Sequence, residues 1–99
     1  MDTLKEQVHA AQKEVTHAAG YVSEIANMIH RDHPAKPFLD NATDAVRDCE
    51  RYVGIASEAL ERADAHVVTS AIMAGYRAYC TAMRAANEAA RLVMKERQP

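Results

Sequence analysis

Residues that break or bridge a backbone are scarce in this chain. Glycine and proline each occur three times in 99 residues, the prolines at 34, 37 and 99, and there is no Asn-Gly or Asp-Gly pair. A β-protein needs such punctuation at its hairpins, so the pattern excludes one. There are only two cysteines, Cys49 and Cys80, and no Cys-x-x-Cys, which removes a disulfide scaffold, a zinc knuckle and a dithiol redox centre. No glycine-rich phosphate loop, nucleophile elbow or Ser/His/Asp set is present. Apolar runs stay far below the ~18–20 residues that cross a bilayer. The polar start, Met1 to Glu6, has no secretory h-region, so the expected address is the cytoplasm. Charge of one sign is missing too: 12 Lys and Arg face 14 Asp and Glu, a net of −2. That balance disfavours wholesale capture of nucleic acid or an anionic membrane.

What is abundant is apolar side chain, at 48% against 26% charged. Such a chain repays its ordering entropy and folds, and its length suits one domain, 1–99. Leu4, Val8, Ala11, Val15, Ala18, Val22, Ile25 and Ile29 alternate spacings of four and three, the seam of a packed helix over about 3–31. Pro34 and Pro37 end it, because the residue before a proline leaves the helical region and proline donates no hydrogen bond. Leu39, Ala42, Val46, Cys49, Val53, Ala56, Leu60, Ala63 and Val67 repeat the alternation, giving a helix over about 38–64. The phase then slips, and the apolar series resumes at Ile72, Gly75, Tyr79, Ala82, Ala86, Ala89 and Val93, a helix over about 67–97. A turn near Asp64, with that residue as N-cap, explains the slip, and a continuous bent helix is the alternative. Three rods of matched length with short connections predict an all-α, antiparallel up-down-up three-helix bundle.

The helix surfaces suggest partners. The third helix carries apolar types at four heptad positions in seven, and alanine fills much of every seam. Alanine lets helix axes approach closely but buries little area, so a homodimer that completes the core is expected. Gly20, beside Thr16, Ser23 and Asn27, forms a small uncharged patch suited to close contact with another protein. The second helix carries seven acids and three bases, the third five bases and two acids. Arg77, Arg84 and Arg91 recur every seven residues and should form one outward ridge for an acidic protein surface. Aromatic residues do not interleave with it, so nucleic acid is not the expected partner.

Two segments, Glu6-Gln-Val-His9 and Glu14-Val-Thr-His17, spell Glu-x-x-His. This spacing resembles that of ferritin-like bundles, where it presents a carboxylate and an imidazole on one helical face to a di-metal centre. The resemblance implies a metal set of Glu6, His9, Glu14 and His17, with Glu58 and Glu61 at the matching level of the second helix. Against it, Val8 and Val15 occupy the seam and leave these groups outside it. His30, Asp32 and His33 at the end of the first helix also have the residue types of a surface Zn²⁺ site, while a helix C-terminus favours His⁺ without metal. The expected function is a non-enzymatic protein-interaction module needing no cofactor, with a metal-binding bundle as the alternative.

Overall fold

A computed structural model describes residues 2–97, which form three helices: α1, Asp2–Ala26; α2, Lys36–Glu61; and α3, Ala65–Arg97. All three pack against one another in an up-down-up bundle of 54 × 18 × 17 Å. The continuous bent helix is excluded, because α2 and α3 are separate rods folded back on each other.

The α1 boundary differs most from the sequence expectation. The helix ends at Ala26, five residues before 31, and the chain tightens there: Met28 N–H donates to Ile25 O at 3.0 Å and Ile29 N–H to Ala26 O at 3.5 Å. Ile29 still packs on the core from this non-helical turn. The apolar spacing therefore reported burial correctly and backbone state incorrectly. At α2 the error runs the other way, since the helix begins at Lys36 and includes Pro37 in its first turn. A proline is tolerated there because the first N–H groups of a helix have no intrahelical acceptor.

Between α2 and α3 the reversal takes three residues. Ala63 N–H donates to Leu60 O at 3.1 Å and Asp64 N–H to Ala59 O at 2.9 Å, the paired bonds of a Schellman closure. Ala63 occupies the left-handed position at φ 56°, where glycine is usual. Asp64 then caps α3 as expected, its Oδ1 accepting from Val67 N–H at 3.3 Å.

The core is thin and alanine-rich. Of twenty buried apolar residues among those described, eleven are alanine. Val8, Ala56, Ala59, Val68 and Ala71 close one end, and Ala11, Cys49 and Val53 fill the middle. The larger cluster, including Val22, Ile25, Leu39, Val46 and Val93, lies towards the other end. Seam assignment changes at the α2–α3 turn. Val68 and Ala71 take the inner position expected of Ile72, which is half-buried, and Ala63 is exposed. At Gly75 the two rods of the hairpin are in contact: a Cβ there would sit 3.5 Å from Tyr52 Cβ and 3.8 Å from Val53 Cγ2.

Candidate functional site

The outer side of the α2–α3 hairpin carries the three arginines that the sequence singles out. Arg77, Arg84 and Arg91 are all exposed, and their seven-residue spacing sets them along one ridge of α3. Arg91 is engaged within its own helix, where it forms a bidentate pair with Glu88, Nε to Oε2 at 3.2 Å and Nη2 to Oε1 at 2.5 Å. That hydrogen bond holds the Glu88 carboxyl below the usual carboxylate range and raises the Arg91 guanidinium. Among the described residues no carboxylate oxygen lies within 4.0 Å of Arg77 or Arg84.

Beside the ridge runs a groove of about 600 Å³ between α2 and α3. Phe38, Ala45 and Ala85 give it an apolar lining, with Asp44 and Asp48 on the α2 side and Arg84 and Glu88 on the α3 side. The aspartates are only loosely held by their own helix, Asp44 to Arg47 at 3.8 Å and Asp48 to Arg51 at 3.7 Å, and both pairs are exposed. Exposed pairs of this kind contribute about 0–1 kcal/mol and exchange partners readily. Arg51 also lies over the Tyr52 ring, 5.1 Å from its centroid.

The glycine patch lies elsewhere. Gly20, Ser23 and Asn27 are exposed as expected, Asn27 just beyond the end of α1, but Ser23 lines a groove against Thr43 and Val46 of α2. The patch and the arginine ridge do not share a surface. Nothing within 4 Å of Gly20 would oppose a Cβ, so no contact inside the molecule requires glycine there.

The four Glu-x-x-His residues and the two acids of α2 expected to join them are not assembled into a ligand set. Glu6, His9 and Glu61 line one groove between α1 and α2, with Gln12 donating across it to Ser57 Oγ at 3.4 Å. Glu58 is exposed on α2, and His17 shares an outer strip of α1 with His9, Lys13 and Thr16. Half-buried Glu14 lies close enough to Cys49 for its charge to raise the thiol. Among the described residues no group of three or more His, Cys, Asp or Glu side chains is placed to hold a metal ion. The physical reason is the one visible in the seam: Val8 faces inward, and with a narrow inner stripe the flanking acids and imidazoles remain at the rim.

His33 corrects a second expectation. It is 4% exposed, its Nδ1 accepts from Ala35 N–H at 2.9 Å, and its Nε2 therefore carries the proton donated to Glu96 Oε2 at 2.7 Å. Both ring nitrogens are used, so His33 does not join His30 and Asp32 as a ligand. Nor do these histidines belong to the last turn of α1, which ends at Ala26. The sequence carries no local signal of this buried imidazole, since the two prolines that follow it mark only the end of a helix and are themselves exposed.

Cys49 and Cys80 are free thiols, the first buried and the second half-buried. No helix among the described residues is long and apolar enough to cross a membrane. No protein-family model, no curated protein and no solved structure matches the chain.

Proposed function

We propose that this chain is a non-enzymatic protein-interaction module, cytoplasmic and cofactor-free, that docks an acidic protein surface on the arginine ridge of α3. The observation that carries the reading is Arg77 and Arg84, exposed on one ridge with no carboxylate of their own within reach among the described residues. A guanidinium presents a planar fork of donors that matches a carboxylate in two bonds, so a line of them recognises acids geometrically as well as by charge. The adjoining groove supplies apolar area, and a few fully covered side chains in such a patch typically carry most of an interface's energy.

A pull-down tests the reading. Tagged wild-type protein and an Arg77→Glu, Arg84→Glu, Arg91→Glu variant serve as baits, and captured proteins are identified by mass spectrometry. Loss of a specific partner in the variant, with helicity unchanged by circular dichroism, is the expected result. Equal capture by both baits would remove the ridge as the docking surface.

A further inference from the structure

We infer that the α2–α3 face docks onto a second copy of itself, in a twofold dimer whose axis runs parallel to the helices. The inference rests on the docking role proposed for the arginine ridge and names the acidic surface that meets it: α2 of another copy.

The argument begins with charge. Over its observed span α2 carries six acids and three bases, and α3 five bases and two acids, local balances of −3 and +3 on neighbouring rods. Two of the α2 acids, Glu50 and Glu61, line grooves against α1, while Asp44 and Asp48 line the side towards α3. A face with these aspartates along one rod and the arginine ridge along the next is complementary to itself under one arrangement. A twofold axis lying in the interface and parallel to the rods sets α2 of each copy over α3 of the other. An axis across the rods would instead stack α2 on α2 and α3 on α3, acid on acid and base on base.

The register agrees. A parallel axis keeps each residue at its own height along the bundle, so groups that face each other across the groove in one copy meet between copies. Asp44, Asp48 and Arg84 line the same groove, together with Glu88, whose carboxylate is taken up by Arg91 of its own helix. Within a copy Arg84 remains more than 4.0 Å from either aspartate. In the dimer Arg84 meets Asp44 and Asp48 of the partner subunit, and the same contact recurs across the axis. Closing the face also covers the apolar lining, Phe38, Ala45 and Ala85, together with Ile55, which is 40% exposed two turns along α2 from Asp48.

Twenty-six residues of α2 run beside α3 for about 39 Å at 1.5 Å per residue. With the molecule 18 Å across, the face is about 700 Å² in projection, and side-chain relief raises its accessible area towards the ~800 Å² per partner of a standard interface.

Charge exchange in purified protein decides the matter. Wild type should sediment at twice its 10.9 kDa chain mass. Arg84→Glu places like charges at both symmetric contacts, and so does Asp44→Lys with Asp48→Lys; each variant alone should weaken dimerisation roughly tenfold or more. Mixing the two should restore a heterodimer, because one contact is then native and the other reversed in sign on both sides. Raising salt from about 0.05 to about 0.5 M should weaken the wild-type dimer, a readout that needs no variant. A monomeric wild type, a dimer indifferent to Arg84→Glu, or a mixture that does not reassociate would overturn the inference. A monomeric wild type whose ridge still captures a different protein in the pull-down would overturn it while leaving the docking role of the ridge standing.

Discussion

His33 Nε2 lies 2.7 Å from Glu96 Oε2 across 63 residues of sequence, tying the α1–α2 connection to the last turn of α3. The two partners are unequal, since His33 is buried and the Glu96 side chain is 58% exposed. Replacing His33 with alanine leaves the buried Ala35 N–H without its acceptor and opens a void, and the expected loss is about 2–3 kcal/mol. Glu96→Gln keeps an acceptor oxygen in a solvated place and should change stability by less than about 0.5 kcal/mol. Urea denaturation of the two variants checks the asymmetry, and equal losses would show that the exposed carboxylate, not the buried ring, fixes the loop.

Ala63 should be replaceable to advantage. Its φ of 56° places a Cβ in the left-handed region, a strain of about 1 kcal/mol that glycine avoids. Ala63→Gly is expected to raise unfolding free energy by about 0.5–1 kcal/mol, the benefit being reduced by the extra freedom glycine gives the unfolded chain. Asp64→Ala should act in the opposite direction by about 1 kcal/mol, because Val67 N–H loses its cap. Thermal unfolding followed at 222 nm distinguishes the two signs.

The same two residues show how far the sequence could be read. The Asp64 cap is a local property of residue type and position, and it was legible. The left-handed residue before it was not, because alanine carries no mark of that conformation, and only the slip in apolar phase betrayed the turn. The exposed ridge of Arg77, Arg84 and Arg91 followed from helical period alone. The groove beside it did not, since it depends on how closely two alanine-lined rods approach and therefore on contacts between segments. His33 was hidden for a related reason: its ring bonds to Glu96, far along the chain, and nothing in its neighbours specifies that partner.

Gly75 and Gly20 test whether close approach explains the glycines. At Gly75 a new methyl would meet Tyr52 and Val53 at 3.5 and 3.8 Å, ordinary contact distances. Gly75→Ala should therefore stabilise by about 0.5–1 kcal/mol through helix propensity, whereas Gly75→Leu should force α2 and α3 apart and destabilise by several times as much. Gly20→Ala meets open space and should gain about 0.5–1 kcal/mol on the same grounds. A loss at Gly75→Ala in a denaturation series would mean that the hairpin is packed more tightly than these distances describe.

Cys49 gives a prediction in the alkaline range. Burial first, then the charges of Glu14 and Glu50, push its thiol above the usual value. The folded state therefore holds this proton after the unfolded chain has released it. Stability contributed by the thiol is complete below the unfolded-state pKa and falls as pH rises from there through the raised folded value. Cys49→Ala should flatten that alkaline decline, while lowering stability at neutral pH by about 1 kcal/mol for the lost sulfur contacts. Native protein should also react with a thiol reagent first at half-buried Cys80 and only slowly at Cys49, at a rate set by opening of the bundle. Equal labelling of both cysteines at neutral pH would show that the α1–α2–α3 seam opens freely around Cys49.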